Sequence, residues 1–394
     1  MSLTRILLTD TANGTWHDRF GLRPTDDLRL AGSDHWSVSK ETLAGGTAAG
    51  VDVVTIDNGG LSFSVPPTRG MGIWKANYRG LPIGWQSPAA LPVHPAFVPL
   101  EAANGLGWLR GFNEFVCRCG LTSNGPPGPD PEGNPVESPL SLHGRIANLA
   151  AHRVELQIDD ADSGTITLYG VVDEATLFGS NLRLESWIST VAGSSDVTIR
   201  DIVTNRSAAA AESQLLYHIN VGPPFLEAGS KFVVPASEIA PRDARAAAGA
   251  ETWDTCGGPE TGFAEQVYFA KPINNDRGES FVLLRNAGGD KGLSVHFRTK
   301  ELPCLSLWKN TGATADGYVA GLEPATNYPN HRSFERKQGR LVKLGPGESY
   351  ETFVRVAIHD HLENVAALEA IGQTLTNDKL AKVHRSPQAG WSPA

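Results

Sequence analysis

The sequence predicts an all-β protein built as one large antiparallel sandwich. Short runs in which branched or aromatic residues alternate with polar ones recur along most of the chain, separated by glycine, asparagine and aspartate. The chain has 42 glycines and 26 prolines, and few stretches with the period of an amphipathic helix. So many strands must protect their edges in a sandwich, a barrel or a propeller. Because the sequence has no repeat of blade length, we expect a sandwich rather than a propeller.

The chain divides into a short leading segment and one long domain. Residues 1–45 mix helix and turn signals, and we expect them to pack on a single domain formed by residues 46–394. That domain opens with two strand-like runs on either side of Asn58, Gly59 and Gly60, the pattern of a β-hairpin in which glycine supplies the positive φ. Further strand-like runs follow between residues 152 and 360.

Three stretches depart from the strand pattern. Gly125 to Pro139 is rich in proline, and we predict a loop within the domain because strand signals resume on both sides. Asp243 to Gly249 is rich in alanine and is either a short helix or a loop. The clearest helix signal lies near the carboxyl terminus, in ENVAALEAIGQTLTNDKLAKV.

Composition and charge exclude several classes of protein. The net charge of -9, with no long basic run, disfavours a nucleic-acid binder. No stretch approaches the roughly 18 apolar residues of a membrane span, and the first residues show no signal-peptide cleavage site. The four cysteines form no CxxC pair, which fits a reducing compartment. We therefore expect a cytoplasmic protein with no nucleic-acid or membrane partner; a homodimer is compatible with the sequence.

Two ionisable residues in strand-like runs are candidates for proton transfer. His218 lies in QLLYHINVGPP and shares one face of the predicted strand with Gln214 and Leu216. The alternative is a core histidine held by one backbone hydrogen bond. Glu323 follows a small apolar run in GLEPATN, where partial burial would raise the pKa of its carboxyl toward that of a general base at neutral pH. The alternative is a glutamate at a sheet edge that pairs with an arginine such as Arg332.

Cationic and aromatic residues offer candidate contacts to a substrate. His143 and Arg145 flank Gly144, and their side chains point the same way if the segment is extended, as a grip on hydroxyls or an anion requires. The alternative is a surface turn with a salt bridge. Arg69, in the loop PPTRGMGIW, is a further cationic candidate. One or two of the nine tryptophans should stack on a ligand; the candidates include Trp74, Trp85, Trp108 and Trp308.

A metal site has less support in the sequence. His359 and His361 would lie on one face of a strand as a pair of ligands, but no third ligand is near them. The sequence contains no phosphate-binding loop, no GxSxG elbow and no GxGxxG motif after a strand. We expect neither a metal nor a cofactor. A metal site that uses His359 and His361 stays open as one hypothesis.

Five short motifs, taken in order, resemble the aldose 1-epimerase (galactose mutarotase-like) superfamily: PTRGMGIW, GFNEFVCRCGL, LHGRIAN, LLYHINVGPP and GLEPATN. The resemblance extends in particular to a branch in which a CGL segment precedes LHGR. It implies a β-supersandwich with the site on a broad concave sheet. It also implies that His218 is the general acid, that Glu323 is the general base, and that His143 and Arg69 bind the substrate.

The resemblance further implies a reaction that needs no cofactor. Glu323 would take the proton of the anomeric hydroxyl while His218 protonates the ring oxygen, and reclosure after rotation would invert the anomeric centre. The two groups must differ in protonation state at neutral pH, which a buried glutamate and a partly exposed histidine would satisfy.

The departures from the superfamily lie in the substrate-binding motifs. HINVGPP stands where familiar mutarotases have a run like HPYFNL, and Arg145 stands where they have a second glycine. Arg145 could select an acidic or phosphorylated sugar. Glu265 is the candidate for the acidic residue that holds sugar hydroxyls, and Trp308 is the candidate for stacking. A carbohydrate-binding or sensing protein without chemistry is the second hypothesis. A metal-dependent sugar isomerase or lyase, which uses His359 and His361 or another cluster, is the third. We prefer the enzyme because a binding module has no need of both acid and base.

Overall fold

A computed structural model describes residues 3–25, 28–31, 33, 35–160 and 164–393. These residues form 24 β-strands and four α-helices, so the all-β prediction is confirmed. The first twelve strands in chain order are β1 Leu3–Asp10, β2 Thr15–Trp16, β3 Arg19–Leu22, β4 Ser37–Thr42, β5 Asp52–Asp57, β6 Leu61–Val65, β7 Lys75–Tyr78, β8 Leu81–Ile83, β9 Val116–Leu121, β10 Arg153–Asp159, β11 Thr165–Ala175 and β12 Asn181–Val191. The other twelve are β13 Asp196–Asn205, β14 Ala211–Val221, β15 Lys231–Val233, β16 Ala236–Pro241, β17 Gln266–Pro272, β18 Glu279–Arg285, β19 Gly292–Arg298, β20 Cys304–Asn310, β21 Val319–Ala325, β22 Val342–Leu344, β23 Ser349–His359 and β24 Lys382–Val383.

The helices are short and lie between strands or at the end of the chain. They are α1 Ala102–Gly105, α2 Ala244–Ala247, α3 Arg332–Lys337 and α4 Leu362–Leu375. Single 3-10 turns occupy Gly46–Ala48, Pro67–Arg69, Pro95–Phe97, Gly107–Arg110, Pro135–Glu137, Ile146–Asn148, Ala250–Thr252 and Thr314–Asp316. Helix α4 confirms the predicted carboxyl-terminal helix, and α2 resolves the alanine-rich stretch as a single helical turn. Across the described ranges, no helix has the length and apolar character to cross a membrane.

The described strands assemble into three sheets. The ten-stranded sheet has the order β15-β18-β19-β23-β13-β12-β11-β10-β1-β2. The eight-stranded sheet runs β22-β14-β21-β20-β17-β16-β24, and β9 also pairs with β14. The six-stranded sheet follows the chain from β3 to β8. Strands β16 and β24 are parallel, whereas the site strands β9, β14, β20 and β21 pair antiparallel with their neighbours.

One hydrophobic core joins the two large sheets. In β12 every second residue is buried, because successive side chains of a strand point to opposite faces. Leu184 and Ile188 of this strand belong to the same core cluster as Leu215, Tyr217 and Ile219 of β14. The other face of β14 is also buried, which means that it lies under something other than the ten-stranded sheet. That second face carries His218.

The leading segment contributes strands to two sheets. Strand β1 pairs with β10 in the ten-stranded sheet, and β4 pairs with β5 in the six-stranded sheet. The described residues of this segment therefore form strands where the sequence suggested a mixture of helix and turn. The division of the chain at residue 45 stays a prediction.

The predicted hairpin and the later strands are confirmed. Strands β5 and β6 pair antiparallel, with Asp57 opposite Ser62, and Gly59 adopts a φ of +93° in the turn between them. Each strand-like run predicted between residues 152 and 360 contains a strand.

Candidate active site

A cleft of about 780 Å³ opens over the eight-stranded sheet. Its floor is formed by β14 and β21, which are paired antiparallel with Ile219 opposite Leu322. These two residues face the core, so their neighbours on each strand, His218 and Glu323, face the cleft. The face predicted for His218 is thereby confirmed.

His218 and Glu323 meet at the floor of the cleft. Nε2 of His218 lies 3.3 Å from Oε1 of Glu323, and only 5% and 4% of the two residues is exposed. The two atoms are close enough for an ion pair, but their angles do not make a hydrogen bond. Oε1 of Glu323 is therefore a buried oxygen without a hydrogen-bond partner among the described residues. A buried polar atom without a partner is costly and points to a function.

The structure contradicts both non-functional alternatives, a Glu323 paired with Arg332 and a His218 held by one backbone hydrogen bond. Arg332 forms its ion pairs with Asp130, Glu137 and Glu212, and not with Glu323. The Nδ1 atom of His218 lies 2.7 Å from Oδ1 of Asn220, a side-chain oxygen, instead of a backbone carbonyl.

Gly321 makes room for the carboxyl group of Glu323. A Cβ atom at position 321 would lie 2.5 Å from Oε1 of Glu323 and 3.0 Å from Cβ of Trp308. Real side chains do not approach this closely, so any larger residue would displace the carboxyl group. Glycine is thus required at position 321 because the side chains of Glu323 and Trp308 approach it closely. The neighbouring residues in the sequence do not indicate this requirement.

Burial shifts the pKa values of Glu323 and His218 in opposite directions. Burial, with a smaller contribution from Glu265, raises the pKa of Glu323 to about 8. Burial, with a smaller contribution from His143, lowers the pKa of His218 to about 3. In the empty cleft at neutral pH the carboxyl is therefore protonated and the imidazole is neutral. The raised pKa of Glu323 agrees with the prediction. The expectation that His218 is partly exposed is wrong, because His218 is buried.

His143 lies beside this pair. Its ring centroid is 5.6 Å from that of His218, and its Nδ1 donates to the backbone carbonyl of Asn124 over 2.8 Å. Since a carbonyl only accepts, Nδ1 carries the hydrogen and Nε2 is left as an acceptor. Burial lowers the pKa of His143, so the neutral form dominates at neutral pH. His143 can thus accept a hydrogen bond from a hydroxyl group in the cleft.

Aromatic rings form the walls of the cleft. The ring centroids of Phe112 and Trp308 lie 5.0 and 5.1 Å from that of His218. Trp85 and Trp108 also line the cleft, whereas Trp74 lies in a separate cavity on the six-stranded sheet. Such rings offer apolar faces to the C–H groups of a sugar and exclude water from the acid–base pair.

Charged groups surround the mouth of the cleft. Glu265 accepts hydrogen bonds from Nε1 of Trp308 at 2.7 Å and from Arg242 at 2.9 Å. Arg242 also pairs with Asp243 at 3.0 Å. Of the described residues that line the cleft, this arginine and three carboxylates, with Asp316 as the third, give a net charge of -2 when Glu323 is protonated. The one guanidinium is already held by two carboxylates.

Two predicted binding residues lie outside the cleft. Arg69 is buried and does not line the cleft; its guanidinium donates to Glu114, Asn148 and the carbonyl of Gly111, so it supports the loop beneath the site. Arg145 lines a separate small cavity with Glu174.

The condition behind the prediction for Arg145 is not met, because the segment is not extended. His143 and Gly144 both have positive φ, +57° and +74°, so the chain reverses between the two side chains.

The proposed histidine pair for a metal is also not formed. His359 ends β23 and bonds to Ser294 through Nε2, whereas His361 is the exposed residue before α4. Within the part of the chain that the structure describes, no group of three His, Cys, Asp or Glu side chains is placed to hold a metal ion.

Three residues of the site were missed by sequence reasoning. Phe112 lies in a motif quoted for the resemblance, but without a role; Asn220 lies two residues after His218. Arg242 follows β16, whose sequence ASEIAP carries no strong strand signal, so no local pattern indicates this arginine.

Comparison with known proteins identifies the class to which this architecture belongs. The family model described as a domain of unknown function (DUF4432) matches residues 48–358. A protein from Klebsiella pneumoniae subsp. pneumoniae MGH 78578, provisionally named an aldose 1-epimerase, is 34% identical with a TM-score of 0.93; the match covers 98% of this chain and 100% of that one. The chain belongs to the DUF4432 family within the aldose 1-epimerase (galactose mutarotase-like) superfamily.

More distant structures share the fold alone. A galactose mutarotase-like protein from Clostridium acetobutylicum is 15% identical with a TM-score of 0.54, over 82% of this chain and 98% of that one. The protein Slr1438 from Synechocystis sp. PCC 6803 is 16% identical with a TM-score of 0.52, over 78% and 95% of the two chains. The predicted supersandwich is confirmed. No curated protein matches the chain.

Proposed function

We propose that the protein interconverts the anomers of a sugar, with Glu323 and His218 as the two proton carriers. One observation carries this proposal: a carboxyl and an imidazole, on neighbouring strands, lie 3.3 Å apart on the floor of an aromatic cleft. The pKa values of about 8 and about 3 mean that the pair holds one proton between them over a wide range around neutral pH. Ring opening needs one acid and one base, which is one proton shared by two groups.

The first step is a transfer of that proton when a sugar binds. Oε1 of Glu323 is buried and has no donor within the described part of the chain, so a sugar hydroxyl is a partner from which it can accept a hydrogen bond. A donor to the carboxylate favours its ionised form. The displaced proton has a receiver in Nε2 of His218, 3.3 Å away. The bound state then has Glu323 as the base and His218 as the acid.

The chemical step follows from these protonation states. Glu323 takes the proton of the anomeric hydroxyl, the bond between C1 and the ring oxygen breaks, and His218 protonates that oxygen. The open aldehyde rotates about the C1–C2 bond. Closure runs the two proton transfers in reverse on the other face of the carbonyl, so the enzyme returns to its starting state. His143, through Nε2, and the ring of Trp308 hold the sugar during this rotation.

The charges at the mouth favour an uncharged sugar. The net charge of -2 among the lining residues repels a phosphate or a carboxylate, and Arg242 is already neutralised by Asp243 and Glu265. Arg145, which could have selected an anionic sugar, lies outside the cleft. We therefore propose a neutral aldose, with hydroxyls that reach Glu265.

Saturation-transfer NMR between the α and β anomers tests the proposal. Purified wild-type protein should accelerate exchange for at least one neutral aldose, and more than for the matching 6-phosphate or uronic acid. Glu323→Gln keeps the shape of the cleft but removes the base, so exchange should fall by about 10²–10⁴-fold. Binding of the same sugar, measured by calorimetry, should change little.

Two results would contradict the proposal. Equal exchange rates in wild type and Glu323→Gln would remove Glu323 from the reaction. A sugar that binds to the wild type without any accelerated exchange would instead favour a carbohydrate-binding or sensing protein.

A further inference from the structure

We infer that Asn220 is a positioning residue: its side-chain amide fixes His218 in the tautomer that carries hydrogen on Nδ1 and leaves Nε2 free to receive a proton. The consequence for catalysis rests on the proposed function, whereas the tautomer itself does not. Asn220 is fully buried and lies on the same face of β14 as His218, two residues further along.

The hydrogen bonds of Asn220 determine which way its amide points. Its Nδ2 donates to the backbone carbonyls of Glu114 at 2.9 Å and His218 at 3.2 Å. Carbonyl oxygens only accept, so the nitrogen of the amide must face them and the oxygen must face the other way. The atom 2.7 Å from Nδ1 of His218 is therefore Oδ1 of Asn220.

The orientation of the amide then determines the tautomer of the imidazole. An amide oxygen cannot donate, so Nδ1 of His218 is the donor and carries the hydrogen. In the neutral ring the second nitrogen, Nε2, has a lone pair. This lone pair belongs to the nitrogen 3.3 Å from Oε1 of Glu323.

The opposite tautomer would block the proposed proton transfer. If Nε2 carried the hydrogen, a neutral His218 would present a donor to the protonated carboxyl of Glu323, and neither group could take the proton of the other. With the hydrogen on Nδ1, Nε2 can take the proton from Glu323 and later give it to the ring oxygen. By holding the hydrogen on Nδ1, Asn220 restricts proton transfer to Nε2 of His218.

The tautomer can be read directly from long-range ¹H–¹⁵N spectra of protein labelled with ¹⁵N-histidine. The signals of His218 are assigned by their loss in His218→Gln. We expect a protonated Nδ1 and an unprotonated Nε2 at pH 7. His143 should show the same tautomer in the same spectrum, because its Nδ1 donates to a backbone carbonyl. It serves as the internal control.

Asn220→Ala should change the tautomer of His218 and leave that of His143 in place. Without the acceptor on Nδ1, we expect a mixture in which Nε2–H is populated, and a fall in kcat of at least about tenfold with little change in KM. Asn220→Asp keeps an oxygen acceptor and should restore the Nδ1–H tautomer and part of the lost kcat. If Asn220→Ala does not fold, Asn220→Ser removes the same acceptor at lower steric cost.

A matched control separates positioning from stability. Asn205 is also fully buried, and its Nδ2 donates to the carbonyls of Ala209 and Leu344, but it does not line the cleft. Asn205→Ala should lower stability without changing the tautomer of His218.

Two results would overturn the inference. A wild-type His218 with hydrogen on Nε2 would contradict it at once. If the tautomer of His218 and kcat are both unchanged in Asn220→Ala, Asn220 does not determine the tautomer. If instead no sugar shows accelerated exchange, the proposed function fails. The NMR spectra still show whether Asn220 determines the tautomer of His218.

Discussion

Two neighbouring residues of β14 face two different kinds of buried polar site. The hydroxyl of Tyr217 donates to Oδ2 of Asp201 at 2.6 Å, and Arg118 donates to both oxygens of the same carboxylate at 2.6 and 3.0 Å. We call these three residues, with Ser186 and Thr352, the Asp201 cluster. On the opposite face, His218 meets Glu323, whose Oε1 has no hydrogen-bond partner among the described residues.

The two sites differ in whether the protein itself satisfies the buried carboxyl group. In the Asp201 cluster each oxygen of the carboxylate has a donor, so the buried charges are compensated and hold the two large sheets together. In the cleft, Oε1 of Glu323 has no hydrogen-bond partner among the residues that the structure describes, and burial keeps this carboxyl protonated at neutral pH. Under the proposed function, a hydroxyl group of the sugar supplies the missing donor.

The largest expected effect comes from breaking the Asp201 cluster. Arg118→Met leaves the carboxylate of Asp201 buried without its counter-charge, and we expect a loss of about 3–5 kcal/mol in the free energy of unfolding, measured by urea denaturation. The double variant Arg118→Met with Asp201→Asn leaves no buried charge and should recover part of this loss. A loss below about 1 kcal/mol in the single variant would mean that the cluster is not a structural anchor.

A smaller effect is expected when Gly321 is replaced. The Cβ of Gly321→Ala would lie 2.5 Å from Oε1 of Glu323 and must displace it. We expect anomer exchange to fall by about 10–100-fold, because a misplacement of about 1 Å costs that much, and stability to fall by about 1–3 kcal/mol. Gly312→Ala is the matched control, since its Cβ has no neighbour closer than 3.8 Å. Equal loss of exchange in both variants would contradict this role.

Most of the fold follows from local pattern, and so does part of the site. The alternation along β14 and β21 assigns His218 and Glu323 to one face each, and this holds in the structure. Their proximity depends on the pairing of Ile219 with Leu322, strands about a hundred residues apart, which no local pattern indicates. The order of the motifs carried the resemblance that implied a joint role for the two residues, but not the pairing of their strands.

The errors have long-range or conformational causes. Arg69 was expected to bind substrate, but Glu114, 45 residues away, holds its guanidinium in the interior. Arg145 was expected beside His143, but the positive φ of His143 could not be read from its residue type. Arg242 reaches the cleft from the turn after β16 and was not expected at all.

A further expected effect is a pH-dependent gain in stability on replacing Glu323. The pKa of this carboxyl is about 8 in the folded protein and near its ordinary value of 4.5 in the unfolded chain. Between these values the folded state binds more protons, so this group's contribution is fully present below about pH 4.5 and is lost as pH rises toward 8.

Glu323→Gln does not titrate and removes that slope. The free energy of unfolding of the variant, minus that of the wild type, should therefore grow from pH 5 to pH 8 and then level off. Other titrating groups cancel in the difference. A difference that does not depend on pH would show that the carboxyl is not protonated in the folded protein.

The most direct test of the central claim is the pH dependence of kcat/KM for anomer exchange, which reports the protonation state of the free enzyme. The shared-proton mechanism predicts a plateau around pH 5–7 and a fall above about pH 8, where the pair loses its single shared proton; the acidic limb should lie far lower, toward pH 3. A rate that continues to rise through pH 8 would mean that an ionised Glu323 beside a neutral His218 is the active form, and would contradict the shared-proton mechanism.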